Sequence, residues 1–249
     1  MILSMKGGKR VVCLTAYDVF SASVADEAGV DLILVGDSVA NVMLGYDTTL
    51  PVTLEQMAHH TAAARRGVKN ALLVADMPFG TYQSSVAQAV DSAVTLVKAG
   101  AEAVKLEGAY VEAIEAIIKA GIPVMGHVGM TPQSVNQFGG FKIQGKGEHG
   151  GEVLAVARAV DVAGAFSMVI ELVPPELARE ITCTVGCPTI GIGAGPHCDG
   201  QVQVFHDILG LGVIRPKHAK VYCEGRELFG KAIQAYSEEV RGSLFPSDG

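Results

Sequence analysis

The segment Ala99-Gly100-Ala101-Glu102-Ala103-Val104-Lys105-Leu106-Glu107-Gly108 carries the pattern on which the fold turns. Before it, Val86, Ala89, Val90, Ala93, Val94 and Val97 recur at helical spacing, so a helix with one apolar stripe runs up to Ala99. Gly100 suits the left-handed residue just past a helix C-terminus, and an apolar strand-like run follows at once. The run ends in an acid, Glu107. The same Ala-Gly phrase returns, without strict period, at Ala28-Gly29, Ala120-Gly121 and Ala163-Gly164, each before another apolar run, and Gly67 and Gly186 act similarly.

These runs are continuous rather than alternating, as expected of parallel strands covered on both faces. Eight are read: Val11 to Asp18, Asp31 to Gly36, Ala71 to Asp76, Ala103 to Glu107, Pro123 to Val128, Ser167 to Val173, Pro188 to Gly193 and Val213 to Lys217. Helical stripes lie between them, for example Ile114, Ile117 and Ile118. Thr53 to Gln56 has capping-box spacing, and Thr131-Pro132 reads as an N-cap followed by a first-turn proline. Eight β-then-α units close most simply as a single (β/α)₈ TIM barrel, and 249 residues is close to the usual length of one. One domain over residues 1–249 is therefore expected, with a last helix around Phe229 to Val240 and a short tail after about residue 218. An open dinucleotide-binding sheet would place a G-x-G-x-x-G loop after its first strand, where this chain has Thr15-Ala16-Tyr17-Asp18.

Composition narrows the function classes. Hydrophobic residues make up 49% and charged ones only 18%, more apolar material than an average soluble domain, which means either a large core or surface buried between subunits; a homo-oligomer is the expectation. A net charge of −7 with no basic cluster beyond Arg65-Arg66 argues against nucleic acid and for a small-molecule substrate. Five cysteines with no C-x-x-C spacing read as reduced thiols rather than a disulfide frame or zinc site. Residues 1–10 are too short and polar for a secretory signal and no run approaches a membrane span, so the expected compartment is the cytoplasm.

Catalytic groups of such a barrel sit at the C-terminal ends of its strands, where the βα loops converge. Acids collect there: Asp37 after strand two, Asp76 closing strand three and Glu107 closing strand four. Each alone could cap a helix or face solvent. Three in succession, all oxygen donors with no cysteine nearby, point to a hard cation such as Mg²⁺ that relieves their repulsion. Glu171 is embedded in Met168-Val169-Ile170-Glu171-Leu172-Val173, where an acid is costly unless it faces the mouth or has a partner, and this makes it a candidate general base. Lys105 shares a strand face with Glu107, so its ammonium either meets a substrate carboxylate or pairs with that acid. His127, near the end of strand five, is either a hydrogen-bonded core group or a member of the site. Gly191-x-Gly193-x-Gly195 after strand seven would admit a phosphate or serve close packing. Asp18, His149, Asp199 and His206 read as structural or surface groups.

Leu14-Thr15-Ala16-Tyr17-Asp18, Val35-Gly36-Asp37-Ser38, Thr49-Leu50-Pro51-Val52-Thr53, Lys105-Leu106-Glu107-Gly108, Gly126-His127-Val128-Gly129 with Thr131-Pro132-Gln133-Ser134, and Gly191-Ile192-Gly193-Ala194-Gly195 stand in this order over nearly the whole chain. Together they resemble the ketopantoate (3-methyl-2-oxobutanoate) hydroxymethyltransferase family. The resemblance implies a TIM-barrel enzyme of pantothenate biosynthesis that moves a hydroxymethyl group from 5,10-methylenetetrahydrofolate to 3-methyl-2-oxobutanoate, giving 2-dehydropantoate through a Mg²⁺-stabilised enolate. It implies Asp37, Asp76 and Glu107 at the metal, Asp37, Ser38, Asp76, Lys105 and His127 in the oxo-acid pocket, Glu171 as proton acceptor, and a large homo-oligomer, usually a decamer. Tyr46 stands where the family has a histidine, and the N-terminus is short. Within enzymes the rival is a carbon–carbon lyase or phosphoenolpyruvate mutase on a similar barrel, but the Lys-Lys-Cys-Gly-His loop of the lyase kind is absent. A non-catalytic oxo-acid or folate sensor is the rival of another class, and loss of Glu171 or a metal acid would favour it.

Overall fold

In the computed structural model the described residues are 2–247; Met1, Asp248 and Gly249, part of the expected barrel domain, lie outside them. The chain divides into two compact units, the first ending at Gln203 and the second beginning at Val204.

The first unit is a closed barrel of eight parallel strands in sequence order. Its elements are β1 (Val11–Thr15), α1 (Val19–Glu27), β2 (Leu32–Val35), α2 (Val39–Val42), α3 (Leu54–Arg65), β3 (Leu72–Asp76), α4 (Val86–Lys98), β4 (Ala103–Lys105), α5 (Val111–Lys119), β5 (Val124–Gly129), α6 (Val135–Phe138), α7 (Gly150–Val162), β6 (Ser167–Glu171), α8 (Pro175–Thr184), β7 (Thr189–Ile192) and β8 (Gly200–Gln203). The helices start where the side chains supply caps. Asp18 accepts from the Ser21 amide at 2.7 Å ahead of α1, and Thr53 and Gln56 exchange the two bonds of the expected capping box ahead of α3. Thr131-Pro132 opens a 3₁₀ turn with proline in its first turn but without a side-chain cap. Gly29, Gly100, Gly121 and Gly164, the glycines of the four Ala-Gly phrases, all have positive φ, from +80° to +116°, where a Cβ would strain the backbone.

The eighth strand departs from the sequence reading. Val213 to Lys217 forms bends and a turn in the second unit, with Val213 and Ile214 largely exposed, and the strand that closes the barrel is Gly200–Gln203, paired to both β7 and β1. Gly200 and Val202 are buried while Gln201 is exposed, so the segment alternates instead of forming a continuous apolar run. Residues 193–199 between β7 and β8 also carry no helix, so the seventh unit lacks the α part of its repeat. The second unit contains α9 (Phe205–Ile208) and α10 (Gly225–Arg241), which covers the helix expected around Phe229 to Val240.

Two apolar layers hold the first unit together. One fills the space between strands and helices and includes Ile33, Leu73, Leu96, Ile114 and Ile170. The other fills the barrel interior with Val11, Cys13, Leu32, Leu34, Val74, Ala103, Met125, Val169, Ile190 and Val202, joined by Ile2 and Met5 from the N-terminal turn. Each fully buried aliphatic side chain of these layers contributes about 1.5–3 kcal/mol. Because side chains along a strand alternate faces, the residues two positions beyond Val74, Ala103, Met125 and Val169 point the same way. They are Asp76, Lys105, His127 and Glu171. The apolar plug thus passes into a layer of charge at the C-terminal ends of four consecutive strands.

Candidate active site

Strand register fixes the spacing within this layer. Asp76 is the direct partner of Lys105 across β3 and β4, and His127 lies one strand further on in β5, two residues beyond Met125, the partner of Lys105. The Lys105 ammonium is 2.8 Å from Asp76 Oδ1, with both side chains buried. His127 Nδ1 is 3.3 Å from Lys105 Nζ and 3.5 Å from Glu107 Oε1, and its Nε2 is 3.2 Å from Glu171 Oε2. Asp37, in the turn after β2, joins from the other side: its amide donates to Asp76 Oδ2 at 2.9 Å. Ser38, next along, shares a 2.8 Å hydrogen bond with the buried Tyr17 hydroxyl.

All six sequence-read residues with charge or metal roles therefore sit in one cluster, with Lys105 among the acids. Lys105 is paired within the protein, but chiefly with Asp76 rather than with the Glu107 of the sequence reading, whose charge adds to its stabilisation. Burial opposes the charge on Lys105, but Asp76, Glu107 and Asp37 together hold its pKa above the ordinary lysine value. Burial, against the pull of Lys105, lifts Asp76 to about 6, and burial with the Glu107 charge raises Asp37. His127 is pushed down by burial and by Lys105, yet its contacts with Glu107 and Glu171 outweigh both and bring it to about 9. Near neutral pH it is an imidazolium that can donate to each of these acids. Glu171 is the most open of the set, its side chain 14% exposed where those of Asp76, Glu107, Lys105 and His127 are 3–5% exposed.

The three acids do not form a closed cage. Among the described residues no group of three or more His, Cys, Asp and Glu side chains is spaced as a set of metal ligands. Their chemistry still suits a hard cation held in an open mode, because Mg²⁺ commonly takes one or two carboxylates and fills its remaining positions with substrate oxygens and water. Asp37 and Asp76 are adjacent, all donors are oxygen, and the buried Glu107 Oε1 meets His127 Nδ1 only at the long distance of 3.5 Å. Four carboxylates face at most two cationic side chains, and a divalent ion would match the shortfall.

Sequence reasoning assigned no role to two residues that tie the acids together. Gln133 donates from Nε2 to Asp37 Oδ2 at 2.9 Å and from its backbone amide to Glu107 Oε2 at 2.9 Å. Tyr82 donates to Gln133 Oε1 at 2.6 Å and accepts from the Glu107 amide at 3.1 Å. Gln133 lies in the turn after β5, inside a quoted motif but masked by its neighbouring cap; Tyr82 has no signal in the sequence, because only the fold brings the β3–α4 loop to Glu107. The glycines after β7 serve packing and turning. A Cβ at Gly195, where φ is +77°, would lie 2.8 Å from Pro175. Asp18 and Asp199 are structural, the first as a helix cap and the second as a clasp on Lys6, Gly7 and Thr189.

A family model described as ketopantoate hydroxymethyltransferase matches residues 1–248. The chain is 50% identical over 248 residues to a 3-methyl-2-oxobutanoate hydroxymethyltransferase of Thermotoga maritima, covering 98% of this chain and 92% of the relative. It is 53% identical over 244 residues to a protein of the same name from Moorella thermoacetica, covering 96% and 91%. Among solved structures it is similar to a phosphonopyruvate hydrolase, with a TM-score of 0.65 at 13% identity over 99% of this chain and 88% of the other. It is also similar to 2,3-dimethylmalate lyase, a member of the PEP mutase/isocitrate lyase superfamily, with a TM-score of 0.59 at 19% identity over 97% and 84%. At such low identity these two show the barrel fold alone and leave the rival chemistries without specific support. The match over nearly the full length, at about half of all positions identical, decides between them: the chain belongs to the ketopantoate hydroxymethyltransferase family.

Proposed function

We propose that the protein transfers a hydroxymethyl group from 5,10-methylenetetrahydrofolate to 3-methyl-2-oxobutanoate, giving 2-dehydropantoate, with Mg²⁺ at Asp37 and Asp76 and with Glu107 beside them. The observation that carries this reading is the position of Glu171. It is the one acid of the layer with an appreciably open side chain, and it rests against His127 at 3.2 Å, so it can meet a substrate at the barrel mouth while its other side is held. When bound, Mg²⁺ supplies positive charge to the ketone and carboxylate oxygens of the oxo acid.

The chain's own residues do the rest. Ser38, fixed by Tyr17, and Lys105, fixed by Asp76, offer a hydroxyl and an ammonium to the substrate carboxylate. Glu171 accepts the proton at C3. The electron pair left behind forms the new bond to the one-carbon unit, whose two bonds to the folate nitrogens break; water supplies the hydroxyl, and tetrahydrofolate leaves after taking up one proton from that water and the one that Glu171 accepted. Positioned general-base catalysis of this kind is worth about 10²–10⁴-fold, or roughly 3–5 kcal/mol. His127, donating to Glu171, keeps the carboxylate oriented toward the mouth. The homo-oligomer expected from composition, a decamer on the family resemblance, belongs to the same proposal, as does a cytoplasmic location; among the described residues no helix is long and apolar enough to cross a membrane. Incubation with the oxo acid and methylenetetrahydrofolate should yield 2-dehydropantoate. Its absence with folded, Mg²⁺-supplied protein would overturn the proposal.

A further inference from the structure

We infer that Gln133 is a positioning residue that sets the geometry of Asp37 and Glu107 for the cation, with Tyr82 fixing the direction of its amide; the inference rests on the proposed function. The Gln133 side chain is buried and makes four contacts with donors and acceptors correctly matched. Nε2 gives one hydrogen to Asp37 Oδ2 and one to the Met77 carbonyl, both at 2.9 Å. Oε1 accepts from the Tyr82 hydroxyl at 2.6 Å and from Gln83 Nε2 at 3.1 Å. A flipped amide would set its oxygen against a carboxylate and a carbonyl, and its NH₂ against the Gln83 NH₂. Only one orientation is therefore compatible with the surroundings.

The backbone of the same residue completes a ring. Its amide donates to Glu107 Oε2, and the Glu107 amide donates to the Tyr82 hydroxyl, which donates to Gln133 Oε1. This ring ties the end of β4 and the loop after β3 to the turn after β5, and the Gln133 arm to Asp37 extends it to the end of β2. It also selects which oxygens remain available. Glu107 Oε2 is taken by the Gln133 amide, and Oε1, buried and 3.5 Å from His127 Nδ1, is left facing the cluster. Asp37 Oδ2 is likewise held by a neutral donor rather than by a competing cation. Hydrogen-bonded partners that orient metal-binding carboxylates are typically worth 10–100-fold in metal affinity.

The test uses Gln133→Met, which keeps the length without the hydrogen bonds, Gln133→Glu, which turns the donor to Asp37 into a repelling oxygen, and Tyr82→Phe, which removes only the hydroxyl. Mg²⁺ binding is measured by calorimetry with 3-methyl-2-oxobutanoate present, alongside kcat and KM for each substrate and thermal unfolding. Each variant is expected to bind Mg²⁺ about 10–100-fold more weakly. The KM for methylenetetrahydrofolate should change less than about twofold, since nothing in the ring is assigned to that substrate. Gln133→Glu should be the most impaired and Tyr82→Phe the least. Should Gln133→Glu fail to fold, the other two carry the test. Wild-type Mg²⁺ affinity in folded Gln133→Met and Tyr82→Phe, or a loss of activity no larger than the loss of folded protein, would overturn the inference while leaving the proposed function intact. Wild-type protein that neither binds Mg²⁺ nor turns over the oxo acid would overturn the proposed function and the inference with it.

Discussion

Lys105 Nζ lies 2.8 Å from Asp76 Oδ1 across directly paired strands, and both groups are buried at the top of an apolar plug. Removing one partner of such a pair leaves the other charge without compensation, which costs about 3–5 kcal/mol. Lys105→Met is expected to lose about that much in urea unfolding, and more than Asp76→Asn, because three carboxylates lean on the ammonium. Equal stability of Lys105→Met and the wild type would show that the pair does not hold the layer together.

Metal dependence follows from the oxygen donors around Asp37. Excess EDTA should abolish turnover and Mg²⁺ should restore it. Asp76→Asn should weaken both Mg²⁺ and oxo-acid binding, since its carboxylate accepts the Asp37 amide as well as facing the cluster. Full activity in excess chelator would contradict this.

Asp199 gives a pH dependence far from the chemistry. Burial alone would raise its pKa, but the Thr189 and Gly7 amides and the Lys6 ammonium lower it below the usual 3.8. A depressed carboxyl stabilises the fold fully above its unfolded pKa and loses that contribution as the pH falls through the folded value. Asp199→Asn is therefore expected to destabilise the protein by about 2 kcal/mol at pH 7, with the deficit shrinking as urea titrations move below pH 4. A deficit independent of pH would remove the charge from the explanation.

Assembly can be read at α10. Phe229, Ile233 and Tyr236, spaced by four and three residues, are 57%, 65% and 56% exposed, an apolar stripe of the kind that a second copy of the chain covers. Light scattering at micromolar concentration should give a mass well above one subunit, and Ile233→Glu should shift it toward smaller species. A wild-type monomer would count against the proposed homo-oligomer.

How much of this was legible in the sequence varied with the physics of each element. Seven strands were, because their residues form continuous apolar runs, even in β1 where Val12 is exposed, and Asp37, Asp76, Glu107 and Glu171 were, because an acid at the end of such a run is conspicuous. β8 was not: Gln201 faces out, so the run is broken. Lys105 was placed on the right face, but its partner across the strands is set by register, which puts Asp76 opposite and Glu107 beyond. Tyr82 and Gln133 act through contacts between residues 51 positions apart, and no local pattern encodes those. The acids' repulsion pointed to a metal, with Lys105 open to pairing with Glu107; in the structure Lys105 and His127 supply part of the relief from within the protein, Lys105 chiefly at Asp76.

The central claim, that Glu171 takes the C3 proton of the oxo acid, is tested most directly by hydrogen exchange. With Mg²⁺ and 3-methyl-2-oxobutanoate in D₂O and no folate present, the wild-type protein should replace the C3 hydrogen with deuterium, followed by NMR. Glu171→Gln keeps the shape and removes the basicity, so it should still bind Mg²⁺ and the oxo acid while exchange falls by about 10²-fold or more. Exchange at the wild-type rate in Glu171→Gln would contradict the account and pass the role of base to another group, such as a water molecule.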